Sequence, residues 1–317
     1  MGAKTAVAPP DKSSGIRAGS VEKRESPGRP RDDRKAAWLF LAPALVGFAL
    51  FYAYPTVRGV YYSLTDYNML APPNFVGAEN YTQLIGDEQF WNAIKVTASY
   101  VVLNIGSQTL LALLLATLMH RLTRSVALRA MLLVPWLVPN VTVGLLWMWL
   151  LDANLGFVNH VLEALGLGTS GFFTSPDLAM PTIAAVNTWA YAGYTALLLY
   201  AGMLQVPQHL YESASLDGAG EWRMFHRITL PLLRPVLALV LVVSLIGSFQ
   251  IFDTIAVTTK GGPVGATRVI YYYIYEQAFA QFHMGYASAV AVVLALVLGV
   301  LTAVQMRLLR ASRSDLA

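Results

Sequence analysis

Six uncharged, apolar stretches dominate the 317 residues and constrain the fold more than any motif does. They cover residues 36–54 (and on to 57), 96–119, 130–151, 178–208, 235–252 and 284–306. Each is near or above the roughly 20 residues that a helix needs to cross a bilayer core. The fifth is the shortest and is expected to run on past Asp253 to about residue 258. Unpaired backbone groups are too costly in lipid, so helices are the expected state of all six. The alternating pattern of a membrane barrel is absent. The fold class is therefore all-α, a polytopic membrane protein with six transmembrane helices. Composition agrees: 13% of residues are charged, about half the 25% of an average soluble domain.

Charge sets the orientation. Residues 1–35 hold nine of the 22 lysines and arginines and are rich in Pro, Gly and Ser. This stretch is expected to be a disordered basic tail. Arg121, Arg124 and Arg129 lie between the second and third stretches, and Arg223, Arg227 and Arg234 between the fourth and fifth. Arg307, Arg310 and Arg313 follow the sixth. The alternate loops at 60–90 and 152–177 carry acids and no Lys or Arg, and only the third alternate loop has basics, Lys260 and Arg268. By the positive-inside rule, both termini and the basic loops are cytoplasmic. The expected organisation is a tail at 1–35, a membrane domain at 36–310 and a short cytoplasmic tail at 311–317.

Between the fourth and fifth stretches the chain reads "ESASLDGAGEW". Glu212, Asp217, Glu221, Arg223, Arg227 and Arg234 would each cost about 2.5–3.5 kcal/mol at the bilayer centre, roughly 18 kcal/mol together. The stretch must lie outside lipid. Pro207 suits a first helical turn, and Gly218 and Gly220 permit a left-handed helix end. The loop at 205–234 is expected to be two short helices with a joint. The second carries Trp222, Phe225 and Thr229 on one face, opposite Arg223, His226 and Arg227.

Several chemistries find no support. The net charge of +4 sits mostly in the tail, with no basic face for nucleic acid. There are no cysteines, which excludes disulfides and zinc–thiolate sites. No phosphate-binding G-x-x-x-x-G-K-[ST] loop is present, so ATP is not expected to bind this chain. "GLGTSG" at 166–171 lacks a preceding strand and is expected to be a turn, as is "KGGPVGAT" at 260–267. The five histidines are scattered, and a metal site is not expected. No nucleophile–base set suggests an intramembrane enzyme. A self-sufficient secondary transporter would require interrupted helices with ion ligands and an internal repeat; no repeat is evident.

Polar residues inside the spans are candidates for a solute pathway. Asn187, Tyr191 and Tyr194 repeat at i, i+4 and i+7 on one helical face. Ser248, Gln250 and Asp253 cluster at the end of the fifth stretch. The third stretch carries Trp136, Asn140 and Trp147. Amides and carboxylates bond sugar hydroxyls, and aromatic faces stack on the C–H side of a ring. Trp147 and Trp149 also fit an interfacial aromatic belt. Pro135 and Pro139 weaken the ladder of the third stretch and permit a kink.

The segment "LQVPQHLYESASLDGAGEWRMFHRITLPLLRP" resembles the EAA loop of binding-protein-dependent ABC importer permeases. Glu212 and Ala214 fit the motif, and Ser213 replaces its first alanine. Asp217, Gly218, Ala219, Phe225, Ile228, Leu230, Pro231 and Pro235 also match. The likeness extends over nearly everything after residue 36 and is greatest to permeases of the maltose and glycerol-3-phosphate type. The large outer domain of the maltose-type long subunit is missing from residues 60–90. The resemblance implies a type I importer permease fold in a bacterial inner membrane. It implies coupling to an ATPase through Tyr211, Glu212, Ser213, Ala214, Asp217, Gly218 and Ala219. It also implies solute contacts near Asn187 and the "SFQIFD" segment, and a loop at 260–267 facing the binding protein. The implied partners are a second homologous permease, two ATPase subunits that hold the ATP and Mg, and an extracytoplasmic solute-binding protein. A sugar or oligosaccharide is the expected cargo, with glycerol-3-phosphate or a related polyol phosphate as the alternative.

Overall fold

The computed structural model describes Gly2 and residues 33–122 and 125–310. Most of the basic tail, Arg124 and the tail at 311–317 lie outside the described residues. The chain divides into two units, residues 1–54 and 55–317. In the first, helix α1 (Asp33–Phe48) begins three residues before the expected boundary and passes into a π-helical turn, Ala49–Ala53. Pro43 sits inside α1.

The second unit follows from α2 (Tyr54–Tyr62). Two short helices, α3 (Glu79–Gly86) and α7 (Phe157–Ala164), lie in the acidic loops. The long elements are α4 (Glu88–Leu122), α8 (Pro176–Met203), α12 (Arg234–Phe249) and α15 (Met284–Arg310). Shorter ones are α5 (Val126–Leu137), α6 (Asn140–Leu150), α13 (Asp253–Val257) and α14 (Ile270–Tyr275), which runs into a π turn at Glu276–Ala280. The loop between α8 and α12 holds α9 (Gln208–Leu216), α10 (Glu221–Met224), a π turn Phe225–Thr229 and α11 (Leu230–Leu232).

Four helical segments are long and apolar enough to cross a membrane: Ala37–Tyr62, Glu88–Leu122, Arg234–Val257 and Met284–Arg307. The third expected span is broken instead of straight. Its halves, α5 and α6, meet at 92° and count as a fifth segment only if taken together. Proline explains the break. Pro139 has no N–H to donate, and it drives the residue before it out of helical geometry. Val138 is extended, with φ −81° and ψ 133°.

The fourth expected span, α8, has the length but falls outside that apolar group. Its environment accounts for this. Helix α8 packs along α4 and touches α5, α6 and α12, and most of its residues are buried. A helix surrounded by protein needs small residues for close approach more than it needs greasy ones for lipid. Ala179, Ala184, Ala190, Ala192 and Ala196 are all buried. At the end of α8 that leads into the loop at 205–234, Ala112, Ala116, Met119, Leu199, Met203 and Leu233 form one core cluster.

Next to the start of α4, Asp87 fastens three elements. Its carboxylate accepts hydrogen bonds from the Tyr273 hydroxyl and, at 2.5 Å, from the Tyr286 hydroxyl. Its other oxygen accepts the backbone N–H groups of Gln89 (2.8 Å) and Phe90 (3.3 Å). The start of α4 is thereby tied to α14 and α15. The two glycine-rich segments are turns, as expected: Gly166 and Gly168 have φ of +74° and +72°, and Gly261 and Gly265 have +80° and +76°.

Candidate functional site: a polar cavity and a cytoplasmic docking loop

Broken helices build the cavity. Helix α12 stops at Phe249, and Gln250, Ile251 and Phe252 cross to α13 in irregular backbone. On the facing side, the bend between α5 and α6 places Asn140 at the start of α6. Irregular backbone at membrane depth is tolerated where it lines an internal cavity. Here the breaks enclose a cavity of about 350 Å³.

All six residues singled out in spans four and five line this one cavity: Asn187, Tyr191, Tyr194, Ser248, Gln250 and Asp253. Trp136 and Asn140 of the third stretch join them, and so do Asn104 and Gln108 of α4. The aromatic face is preformed. Trp136 and Tyr194 stack with centroids 4.6 Å apart and planes 9° apart. A polar chain crosses the cavity wall. The Tyr191 hydroxyl donates to Asn140 Oδ1 at 3.1 Å, and Asn140 Nδ2 lies 3.4 Å from Asp253 Oδ2. Asn187 donates to the hydroxyl of the buried Tyr100. Its amide is thus partly committed to α4, while Gln250 makes no side-chain hydrogen bond to the protein among the described residues. Trp147 does not belong to the cavity lining; it meets Trp189 edge to face at 5.4 Å.

Asn104, Gln108 and Tyr100 were not singled out in the sequence. They sit in an uncharged apolar stretch, and their partners are remote. Asn104 Nδ2 donates to Ser248 Oγ at 3.0 Å, and Gln108 Nε2 donates to Thr195 Oγ1 at 2.8 Å. The available signal was their i, i+4 spacing within an uncharged span.

Electrostatically the cavity is one-sided. Among its lining residues Asp253 is the single acid, and no Lys, Arg or His is present. Apart from that carboxylate it offers amides, hydroxyls and rings.

The loop at 205–234 is built as its turn residues dictate. Pro207 occupies the N-cap of α9. At the other end, Ala219 N–H bonds to Ala214 O at 2.9 Å and Gly218 N–H to Ser215 O at 3.1 Å. With Gly218 at φ +71°, this is a Schellman helix end, which requires a left-handed residue there. The Tyr211 hydroxyl bonds Thr229 Oγ1 at 2.8 Å and so braces α9 against the second helix. Glu212, Ser213, Asp217 and Gly218 are exposed, and Ala214 and Ala219 half-buried. The second helix differs from the single amphipathic face expected. Phe225 turns inward onto the core cluster and Thr229 is buried, whereas Trp222 remains 74% exposed. The Trp222 and Phe225 rings still stack, with centroids 6.1 Å apart. Arg121 at the end of α4 pairs with Glu221, a largely solvent-exposed contact of small energetic weight.

The comparisons agree with this architecture. Residues 108–314 match the family described as "Binding-protein-dependent transport system inner membrane component". The sulfoquinovosyl glycerol transport permease SmoG of Agrobacterium fabrum is 35% identical over 281 residues, 88% of this chain and 91% of that one. The trehalose/maltose transport permease MalF of Thermococcus litoralis is 34% identical over 240 residues, 75% of this chain and 81% of the relative. Among solved structures, a chain of a bacterial ABC transporter that imports the acidic polysaccharide alginate superposes with a TM-score of 0.77 at 28% identity. That match covers 90% of this chain and 99% of the other. The protein is therefore a multi-span, non-catalytic permease subunit, and it belongs to the family of inner-membrane components of binding-protein-dependent ABC importers.

Proposed function

We propose that this subunit forms half of the translocation pathway for an uncharged sugar or oligosaccharide. An extracytoplasmic binding protein delivers the solute, and the loop at 205–234 couples the subunit to a separate ATPase. The observation that carries this reading is the lining of the cavity. Stacked Trp136 and Tyr194 offer a flat face for a pyranose ring, ringed by amides and hydroxyls. Such sites are mostly apolar walls with a few placed polar groups. A phosphate or sulfonate group calls for arginine, lysine or a cradle of N–H donors. The wall offers a carboxylate instead, which disfavours a polyol phosphate. The names of SmoG, MalF and the alginate transporter all refer to sugar-related cargoes, which supports a sugar-type solute. Sulfoquinovosyl glycerol and the acidic alginate are anionic, so the uncharged class rests on the cavity wall alone.

In this reading the chain crosses the membrane six times, with α8 as the protein-enclosed span and α5–α6 as the bent one. The termini and α9–α11 face the cytoplasm, and the turn at 260–267 faces the binding protein. Two exposed apolar side chains at the cytoplasmic joint, Leu216 and Trp222, support a docking role for the loop. With one such loop in this chain, a second permease supplies the other half of the pathway and the other ATPase contact. The deciding experiment is reconstitution in liposomes with a second permease, the ATPase and the binding protein. ATP-dependent uptake of a neutral sugar by the full set, and none by the lone chain, is expected. Uptake by the lone chain, or of glycerol-3-phosphate in preference to every neutral sugar, would overturn the reading.

A further inference from the structure

Helix α4 contributes two carboxamides to the cavity wall that no family description and no relative's name assigns. Asn104 and Gln108 are one helical turn apart, 4% and 6% exposed, and both line the cavity. Their donors are committed. Asn104 Nδ2 reaches Ser248 Oγ at 3.0 Å and Gln108 Oε1 at 3.4 Å, and Gln108 Nε2 reaches Thr195 Oγ1 at 2.8 Å. One acceptor has no partner: Asn104 Oδ1 is buried without any hydrogen bond.

Buried polar atoms in folded proteins are nearly always paired, and an unpaired carbonyl beside a cavity calls for an explanation. Packing α4 against α12 calls only for the donor that serves Ser248 Oγ and Gln108 Oε1, not for this acceptor. We propose that Asn104 belongs to the solute site and that its Oδ1 accepts a hydrogen bond from a sugar hydroxyl. This assignment rests on the reading of the cavity as a sugar pathway. The chemistry is selective: a hydroxyl brings the missing donor, whereas an ionised phosphate, sulfonate or carboxylate brings none. Together with the Asp253 carboxylate across the cavity, it makes the wall a set of acceptors suited to a polyhydroxylated, uncharged solute. The oxygen is shielded in this conformation, so contact requires rotation of the Asn104 amide. That rotation exchanges the bond to Ser248 for one to the solute and links solute binding to the α4–α12 contact.

The test uses the assembled permease pair with its ATPase in nanodiscs, without binding protein. Thermal unfolding is followed with maltose, trehalose or cellobiose added, and uptake is measured in parallel in liposomes with binding protein present. In N104L, the sugar-free complex should lose some stability, because Ser248 Oγ and Gln108 Oε1 lose their donor. Its stabilisation by the sugar should weaken, with the half-saturating concentration for uptake raised about tenfold, the effect of one lost hydrogen bond of ordinary strength. N104D, which keeps the acceptor, should retain the sugar response, and it decides the question if N104L does not assemble. A sugar response in N104L equal to the parent's, or one lost in N104D, overturns the assignment of Asn104 alone. A parent that responds to none of the three sugars overturns the reading of the cavity and this assignment with it.

Discussion

Gly193 brings α8 into backbone contact with α5: a Cβ on Gly193 would stand 1.8 Å from the carbonyl oxygen of Leu132. No rotamer change relieves a clash with a main-chain atom. The same approach sets Tyr194 against Trp136, whose rings stack at 4.6 Å. Gly193→Ala should therefore push α5 away, open the stack and destabilise the subunit by about 1–3 kcal/mol, the usual range for overpacking. Gly106→Ala on α4, where nothing lies within 4 Å of the added carbon, is the control. Thermal unfolding of the two variants side by side checks this, and equal melting temperatures would show that α5 and α8 tolerate separation.

The Asp87 clasp makes stability depend on pH. Burial raises the pKa of this carboxyl, but the hydrogen bonds from Tyr273, Tyr286 and the N–H groups of Phe90 and Gln89 outweigh it. The net position is below the ordinary carboxylate value. A group with a depressed folded pKa adds stability above its unfolded pKa and loses it as pH falls through the folded one. The contribution should thus be complete above about pH 4 and decline below it. Tyr286→Phe should cost about 1–3 kcal/mol at neutral pH, the range for a hydrogen bond to a charged group. Asp87→Asn should flatten the acid limb of a plot of melting temperature against pH. An acid limb unchanged in Asp87→Asn would assign the pH dependence to other carboxylates.

Gln250 and Asn187 separate pathway from packing. Gln250 lines the cavity without a side-chain hydrogen bond to the protein among the described residues, whereas Asn187 also holds the hydroxyl of buried Tyr100. Gln250→Ala should impair sugar uptake and leave thermal stability within about 0.5 kcal/mol. Asn187→Ala should impair uptake and also lower stability by about 1–3 kcal/mol, because it strands the Tyr100 hydroxyl. Paired uptake and unfolding measurements distinguish the two. Unimpaired uptake in both variants would reassign these residues to helix packing.

How far the sequence could be read depended on whether each signal was local. The apolar runs are local, and four of them stand as segments long and apolar enough to cross a membrane. Pro135 and Pro139 marked a weak point, but their spacing alone could not give the 92° between α5 and α6. Helix α8 illustrates the opposite case. Its alanines, threonines and tyrosines dilute the lipid signal because protein surrounds it. The cavity residues on α8 and at the end of α12 were legible because amides and a carboxylate are costly in a span. Asn104 and Gln108 are just as polar but lie in α4, and what gives them meaning is Ser248, 144 residues away, and Thr195, 87 away. Periodicity places two residues on one face. It does not say that the face meets a cavity.

The Schellman end at Gly218 gives the sharpest test of the docking loop. Its φ of +71° lies in the left-handed region, and nothing lies within 4 Å of where a Cβ would stand. A side chain there meets no clash inside the subunit. Its intrinsic cost is that of the backbone, roughly 1–2 kcal/mol, and it falls on an exposed joint outside the buried core. Gly218→Val should therefore leave the membrane helices folded and inserted. If the joint seats in a groove of the ATPase, the branched side chain should block that approach. Glu212→Ala, on the exposed side of α9, should weaken it more mildly by removing an acceptor. Tyr211→Phe should loosen α9 from the second helix through loss of the 2.8 Å bond to Thr229. In reconstituted importers, the ATPase should still hydrolyse ATP on its own. Stimulation by loaded binding protein should fall together with uptake in the order Gly218→Val, Tyr211→Phe, Glu212→Ala. Stimulated hydrolysis and transport at the parental level in Gly218→Val would make the loop a linker and move the coupling contact elsewhere on the cytoplasmic face.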